Sequence, residues 1–209
     1  LFCFLIFLVV GVVSIYGMFR GIIDSAPDIS SINMEPTGYT TKIYDASNHV
    51  TASLEQQEQN RETVSFADIP EHLIEAFILT EDPNFFYHKG NDARQFLYQF
   101  SYDFFNNTTS DTFGTITQQL IRNTVFNGGV QKSFGEKLEQ IIQEGYLSIQ
   151  LEKQMDKTEI LELYLNGINL GSNTLGIQSA AMHYFNKNVS ELTLSECSVL
   201  AATASNLSR

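Results

Sequence analysis

The chain has 209 residues and a formal net charge of −12, with 24 Asp and Glu against 12 Lys and Arg. This length is enough for one domain with a hydrophobic core of its own. The acidic excess argues against a nucleic-acid binder, because such proteins carry a basic surface for the phosphate backbone. Residues 122–157 nevertheless hold five bases and five acids, so an anionic ligand is expected nearer to that region.

The N-terminal segment, Leu1 to Phe19, contains no charged side chain. As a helix it spans about 28 Å, close to the thickness of a bilayer's hydrocarbon core. A cleaved signal peptide is the alternative, but its apolar region is usually shorter, about 7–15 residues. We therefore predict an uncleaved transmembrane anchor over 1–19 and a Pro- and Ser-containing linker over 20–38. The scarcity of Lys and Arg after the anchor favours an extracytoplasmic position for the remainder.

The region after the linker is predicted to be mainly α, with a short N-terminal β-hairpin. Residues 39–45 and 50–54 predict two strands around a turn at 46–49. Periodic apolar residues predict helices over about 70–82, 92–105, 115–123, 135–155, 158–166, 175–186 and 193–204. Asp156 with Glu159, and Thr193 with Glu196, have the spacing of a capping box. The polar loops at 106–113 and 127–133 are candidates for mobile walls of a cleft.

Glu81 ends the first of these helices and is a candidate catalytic residue. It follows Phe77 by four positions and Ile78 by three, so it lies on the apolar face of the helix. A carboxylate on that face loses part of its hydration, which suits it to act as a general base. The alternative is a helix-terminal glutamate that simply reaches water.

A second carboxylate, Glu144, is carried by the helix at 135–155. A rotation of about 100° per residue puts Gln143 on a polar stripe and Glu144 at an apolar margin. Glu144 could instead reach a partner at the helix edge, such as Lys137 or Lys153. Two carboxylates at apolar margins are typical of glycosyl chemistry, in which an Asp/Glu pair flanks the bond that changes.

Five motifs follow one another along the chain. They are Glu81-Asp82-x-x-Phe85-x-x-His88-x-Gly90, the segment Gly114 to Asn123 (GTITQQLIRN), Glu144-x-x-Leu147-x-x-Gln150-Leu151-Glu152-Lys153, the segment Lys157 to Asn166 (KTEILELYLN), and Gly176 to Glu196. Over residues 39–209 they resemble the family 51 glycosyltransferases. These are the peptidoglycan glycosyltransferase domains of class A penicillin-binding proteins and of monofunctional transglycosylases.

The resemblance implies a lysozyme-like fold of two lobes and a role for each motif. Glu81 is implied as the general base that deprotonates the acceptor 4-hydroxyl, and the reaction inverts the anomeric carbon. Glu144 is implied near the donor pyrophosphate, directly or through a divalent cation, Mg or Mn. The implied substrate-binding residues are Asp82, Phe85, His88, Thr115, Thr117, Gln118, Gln119, Arg122, Asn123 and Asn166. Taken alone, His88 more often holds a loop by hydrogen bonds.

The resemblance also implies partners and a location. The substrate is lipid II, which is added to a growing glycan strand as undecaprenyl pyrophosphate leaves. The other implied partners are the lipid bilayer and cell-wall synthesis or division proteins, and the location is the bacterial cytoplasmic membrane, with a single pass and an external catalytic domain. Because the sequence lacks an initial Met, further cytoplasmic residues are expected upstream. Because it stops before any transpeptidase domain, the chain is expected to be the front part of a longer class A protein.

Three of the departures from the family pattern bear on the donor site. The Arg-Lys pair that usually precedes the third-motif glutamate is Gln140-Ile141, and the usual Ser of the second motif is Gly114. Each charge-assisted hydrogen bond lost at a pyrophosphate could cost about 1.5–3 kcal/mol. An impaired or inactive member that binds lipid II or a cell-wall partner is therefore an alternative. A lytic enzyme that cleaves finished glycan is a third, less favoured, alternative.

Overall fold

The computed structural model describes residues 2–35, 41–44, 50–54, 60–95, 114–126, 134–172 and 174–207. In this part of the chain the fold is mainly helical, as predicted. The helices of two turns or more are α1 (Phe2–Asp24), α2 (Glu71–Glu81), α3 (Ile116–Val125), α4 (Phe134–Leu151), α5 (Lys157–Gly167), α6 (Ile177–Phe185) and α7 (Leu194–Leu207). Single 3₁₀ turns lie at Ile29–Ser31, Phe66–Asp68 and Val189–Glu191.

The N-terminal helix α1 is long and apolar enough to cross a membrane, by length and composition. It has the character of a membrane anchor or a signal sequence. The helix continues to Asp24, beyond the predicted end of the anchor at Phe19. Ile29 and Met34, within the predicted linker, are each 7% exposed and belong to the hydrophobic core. Part of the predicted linker therefore packs on the domain.

Short strands occur in two separate pairs. β1 (Thr41–Tyr44) and β2 (Val50–Leu54) pair antiparallel. The predicted turn at 46–49 lies outside the described residues, so the complete hairpin stays a prediction. β3 (Asn60–Arg61) and β4 (Thr174–Leu175) pair in parallel, which the sequence did not predict. Because β4 includes residue 175, the helix that was predicted from there begins at Ile177 instead.

The two predicted capping boxes are present. The Asp156 side chain accepts from the Glu159 N–H at 2.9 Å, and the Glu159 side chain accepts from the Asp156 N–H at 2.9 Å. Thr193 and Glu196 make the same reciprocal pair, at 2.8 and 3.4 Å. Each pair satisfies two N–H groups that a helix start would leave unbonded. The predicted helix at 92–105 and the loops at 106–113 and 127–133 lie mostly or wholly outside the described residues.

The core lies where α2 packs against α7 and α3 packs against both α4 and α5. Leu73, Phe77, Ile116 and Leu147 are 0% exposed at these contacts. The ring of Phe77 meets the ring of Tyr164 edge to face, with centroids 6.5 Å apart. Burial of side chains of this size contributes about 1.5–3 kcal/mol each. The packing brings the end of α2 beside the start of α3, and the candidate site forms there.

Candidate active site

Glu81 is the last residue of α2 and is 9% exposed. Its Oε2 accepts a hydrogen bond from Gln119 Nε2 of α3 at 3.1 Å. The alternative of a glutamate that simply reaches water is therefore wrong. A buried carboxylate held by a neutral amide keeps the ability to accept a proton, which is what a general base requires.

Tyr164 of α5 fixes the orientation of Gln119. Its hydroxyl donates to Gln119 Oε1 at 3.1 Å, which turns the amide nitrogen towards Glu81. Burial, together with the charges of Glu81 and Asp82, holds the pKa of Tyr164 well above its ordinary value. Tyr164 therefore remains a neutral donor. The chain of bonds from Tyr164 through Gln119 to Glu81 joins α5, α3 and α2.

Asp82 and His88 tie the loop after α2 to the start of α3. Asp82 is 0% exposed, and its Oδ2 accepts from the Ile116 N–H at 3.0 Å. The same oxygen lies 2.8 Å from His88 Nε2. An anionic carboxylate at a helix N-terminus is favoured by the unbonded N–H groups and the helix dipole. His88 thus holds this loop by a hydrogen bond, which is the alternative considered for it from the sequence.

The same loop is closed by Phe85, Gly90 and Thr115. Phe85 is 0% exposed, and Thr115 Oγ1 donates to the Gly90 carbonyl at 2.6 Å. Gly90 has φ +92°, and a Cβ there would lie 2.6 Å from the Ser148 carbonyl carbon. A larger residue at position 90 would therefore push the loop away from α4.

Gln118 and Asn123 occupy different surroundings on α3. Gln118 shares a capping box with Thr115 and donates from Nε2 to Asn91 Oδ1 at 2.7 Å. Asn123 is exposed on the following turns of the helix. The Asn123 side chain is therefore accessible to a ligand in this structure. The Gln118 side chain, in contrast, already caps the start of α3 and binds Asn91.

Glu144 and Arg122 form a buried ion pair between α4 and α3. Arg122 Nη2 donates to Glu144 Oε2 at 2.7 Å and Arg122 Nε donates to Oε1 at 3.0 Å. Gln140 Nε2 donates to the same Oε1 at 2.6 Å. Glu144 is 2% exposed, so it is buried as its position on the helix predicted, but its described contacts are polar rather than apolar. The suggested partners Lys137 and Lys153 are wrong, because the cation on Glu144 is Arg122.

Gly114, where the family usually has Ser, lies directly before the start of α3. Its φ is +142°, which side chains of L residues rarely adopt. A Cβ at this position would lie 3.0 Å from Gln118 Oε1 and 3.1 Å from Gln118 Cβ. The backbone of this chain is therefore built for glycine here, and a serine would strain the capping box.

Asn166, predicted to bind substrate, pairs with backbone groups instead. Its Oδ1 accepts from the Val64 N–H at 2.9 Å and its Nδ2 donates to the Val64 carbonyl at 2.8 Å. Glu162 and Ser179 hold the same extended segment by accepting from the N–H groups of Phe66 and Glu62. The described contacts of Asn166 are thus structural, and its contact with substrate stays a prediction.

The resemblance left two options for Glu144, direct contact with the pyrophosphate or contact through a divalent cation. The described side chains around Glu144 do not favour a cation held by the protein alone. The described residues contain no group of three or more His, Cys, Asp or Glu side chains that could hold a metal ion. Both oxygens of Glu144 accept from the Arg122 guanidinium. Mg²⁺ prefers several oxygen ligands, so one carboxylate already paired with a cation is a poor donor set.

Two residues of the site, Tyr164 and Glu152, were given no role from the sequence. Glu152 follows Glu144 by eight positions, about two helical turns, and was one of several glutamates on a long helix. Its side chain is 5% exposed and accepts from Thr117 Oγ1 at 2.6 Å. The sequence signal that could have found Tyr164 is its position four residues after Ile160, which places both side chains on one helix face. The structure buries that face, with Ile160 0% and Tyr164 1% exposed.

Comparisons with known proteins agree with the motifs. The family described as "Transglycosylase" matches residues 47–209. The chain is 36% identical over 194 residues to penicillin-binding protein 1A of Escherichia coli (strain K12), covering 93% of this chain and 22% of that protein. It is 36% identical over 193 residues to penicillin-binding protein 1A of Clostridium novyi (strain NT), covering 90% and 22%.

A third relative is penicillin-binding protein 1F of Bacillus subtilis (strain 168). It is 39% identical over 163 residues, which cover 78% of this chain and 22% of the relative. The chain therefore spans less than a quarter of the length of each of these three relatives.

Proposed function

The chain belongs to the transglycosylase family, and from that premise we propose that it polymerises lipid II into glycan strands with inversion and releases undecaprenyl pyrophosphate. The observation that carries the proposal is the pair of buried carboxylates, Glu81 and Glu144, which two neighbouring side chains of α3 hold in different ways. Glu81 is bonded to a neutral amide and Glu144 to a guanidinium. This difference suits Glu81 to proton transfer. It suits Glu144 to holding Arg122, the cation proposed to bind the leaving group.

In the proposed reaction, Glu81 takes the proton of the acceptor 4-hydroxyl. The freed oxygen attacks the anomeric carbon of the growing strand from the face opposite the leaving group. The bond from that carbon to the pyrophosphate oxygen breaks, and its electron pair leaves with the polyprenyl pyrophosphate. Gln119 orients the Glu81 carboxylate for this step, and Tyr164 orients Gln119. A general base of this kind contributes about 10²–10⁴ in rate.

The leaving group is proposed to meet Arg122. A guanidinium offers five N–H donors in one plane, so Arg122 can bind phosphate oxygens while it remains bonded to Glu144. Negative charge develops on the pyrophosphate as it leaves, and a fixed cation favours that state over the ground state. Direct contacts of Asp82, His88, Thr115 and Thr117 with substrate stay predictions.

The setting of the reaction is part of the proposal. The apolar helix α1 suits a membrane anchor, and the substrate's lipid tail remains in the bilayer. We place the catalytic domain, with a lysozyme-like fold of two lobes, outside a bacterial cytoplasmic membrane. Cell-wall synthesis or division proteins are its proposed partners. A divalent cation, Mg or Mn, stays a prediction: Glu144 would be its protein ligand, the substrate's own oxygens would have to supply most other ligands, and the cation would supply positive charge for the leaving pyrophosphate.

The direct test is polymerisation of labelled lipid II by the purified protein, with divalent metal present. Gel electrophoresis should show glycan polymer from the parent protein. Glu81→Gln should abolish it, while Glu71→Gln, which removes an exposed carboxylate at the other end of α2, should not. Absence of polymer from the parent protein overturns the proposed activity.

A second candidate function is binding of lipid II or a cell-wall partner with little turnover. It is favoured by Gln140, which stands where the family usually has Arg and gives Glu144 an amide in place of a second cation. The double substitution Gln140→Arg with Ile141→Lys separates the two functions. A large gain in rate supports impairment of this chain, whereas an unchanged rate in a parent protein that makes polymer favours local compensation for the missing cations.

A further inference from the structure

Glu152 lies one residue beyond the end of α4, and three different elements converge on one of its oxygens. Oε1 accepts from the Thr117 hydroxyl at 2.6 Å and from Lys157 Nζ at 2.7 Å. The same oxygen lies 3.8 Å from Nδ1 of His88. Thr117 belongs to α3, Lys157 is the first residue of α5, and His88 belongs to the loop after α2. Glu152 is therefore a junction between the elements that surround the candidate base.

The contacts continue from Glu152 to the base itself. His88 Nε2 lies 2.8 Å from Asp82 Oδ2, and Asp82 is the residue directly after Glu81. Lys157 Nζ also lies over the ring of Phe85, 4.3 Å from its centroid. Glu152 therefore meets the loop after Glu81 in two ways. It lies beside His88, which belongs to the loop, and it binds Lys157, which lies over the ring of Phe85 in the same loop.

Because these side chains are largely buried, the loss of any one contact should cost more free energy than at the surface. The side chains of Asp82, Glu152 and His88 are 0%, 5% and 7% exposed, and that of Lys157 is 21% exposed. Loss of the Glu152 charge leaves the Lys157 cation without this partner in a partly buried place, which is costly. A glutamine at position 152 keeps the size and an acceptor oxygen for Thr117, so it tests the charge with little change in packing.

We propose that Glu152 is a positioning residue for Glu81, acting through His88 and Lys157 on the loop that follows the base. The inference rests on the proposed glycosyltransferase function. Glu152 itself contacts no reacting atom in this scheme. Its removal should therefore impair turnover more than substrate binding, since a small displacement of a catalytic group strongly lowers the rate of the chemical step.

The kinetic test compares Glu152→Gln with Glu139→Gln, which removes an exposed carboxylate from α4, the helix that ends just before Glu152. We expect kcat for lipid II polymerisation to fall about 10- to 100-fold in Glu152→Gln, with KM nearly unchanged. Glu139→Gln should behave as the parent protein. Equal kcat in the two variants, or a change confined to KM, overturns the proposal.

A spectroscopic test is independent of turnover. The carboxylate ¹³C resonance of Glu81, assigned by its loss in Glu81→Gln, should shift in Glu152→Gln and remain in place in Glu139→Gln. If the Glu81 resonance is the same in Glu152→Gln as in the parent protein, the proposal is overturned. This test does not need activity, so it remains decisive even if the parent protein makes no polymer and the proposed function fails. If Glu152→Gln does not fold, Lys157→Met removes the contact between Lys157 and Glu152 by changing the lysine instead. It should likewise lower kcat and shift the Glu81 resonance, and no change in either overturns the proposal.

Discussion

Arg122 donates to both carboxylate oxygens of Glu144, from Nη2 to Oε2 at 2.7 Å and from Nε to Oε1 at 3.0 Å. The two side chains are 12% and 2% exposed, so water screens their attraction weakly. They come from different helices, α3 and α4. The ion pair therefore joins α3 to α4 and places a cation and a carboxylate together at the proposed donor site.

Arg122→Met should destabilise the protein by about 3–5 kcal/mol, because it leaves the buried Glu144 charge with only the Gln140 amide described as a partner. Denaturant titration followed by circular dichroism measures this change. The double variant Arg122→Met with Glu144→Gln removes both charges and should lose less stability than Arg122→Met alone. A double variant that is less stable than the single one contradicts the prediction.

Tyr164→Phe should lower polymerisation activity with only a moderate loss of stability. The substitution removes the hydroxyl that donates to Gln119 Oε1 and leaves that buried oxygen without this donor. An unsatisfied buried acceptor costs about 1–3 kcal/mol. Gln119 is then free to rotate, and its amide nitrogen no longer points reliably at Glu81. Activity assays below the melting temperature measure the effect, and Tyr184→Phe is a matched control on α6. Equal activities of Tyr164→Phe and Tyr184→Phe contradict the prediction that the Tyr164 hydroxyl orients Gln119.

The burial of the two carboxylates could be predicted from sequence because helical periodicity fixes which side chains share a face. Glu81 follows Phe77 by one turn, and Phe77 is 0% exposed. Capping boxes were predictable for a similar reason, since Asp156 and Glu159 are close along the chain. The pairing of Arg122 with Glu144 was not predictable, because their 22-residue separation says nothing about which helix faces pack together.

Gln143 shows the limit of periodicity most clearly. The helical rotation of α4 predicted only that Gln143 lies on a polar stripe. The structure covers it with the end of α1, and Gln143 is 8% exposed. Periodicity gives the direction of a side chain from its own helix, whereas another element decides what lies there. Glu152 was missed for the same reason, since its partners come from three separate segments.

Stability should depend on the ionisation of Glu196 at low pH. Hydrogen bonds from Lys187 and Thr193 lower the pKa of Glu196 from 4.5 to about 2. The folded state therefore binds fewer protons than the unfolded state in this range. The stabilisation is complete above about pH 4.5, and it is lost as the pH falls towards 2.

Thermal unfolding between pH 2 and 7 checks this dependence. Glu196→Gln should flatten the fall in melting temperature at acid pH, because it removes the group that titrates. Glu75→Gln, an exposed position on α2, should retain the slope of the parent protein. Added salt should also reduce the slope, because Lys187 and Glu196 are partly exposed. Identical slopes in Glu196→Gln and the parent protein contradict the prediction.

Gln143→Leu should uncouple the predicted membrane anchor from the helix that carries Glu144. The Gln143 amide donates to the Ser25 hydroxyl at 3.0 Å and to the Ile22 carbonyl at 3.3 Å, at the end of α1. Leucine fills the space but donates nothing, so the Ile22 carbonyl loses this donor. Loss of these bonds costs about 1–3 kcal/mol and frees the angle between α1 and α4.

Under the proposed function, the effect of Gln143→Leu should depend on the membrane, since a bilayer would hold the predicted anchor α1 and a lipid-linked substrate at a common depth. Polymerisation in liposomes should fall severalfold more than polymerisation in detergent, where the anchor is unconstrained. Gln150→Leu is the matched control, because in the described hydrogen bond of Gln150 its Oε1 accepts from Lys153 Nζ at 3.3 Å, with no bond to α1. Equal losses in liposomes and detergent would show that Gln143 acts only on the folding of α4.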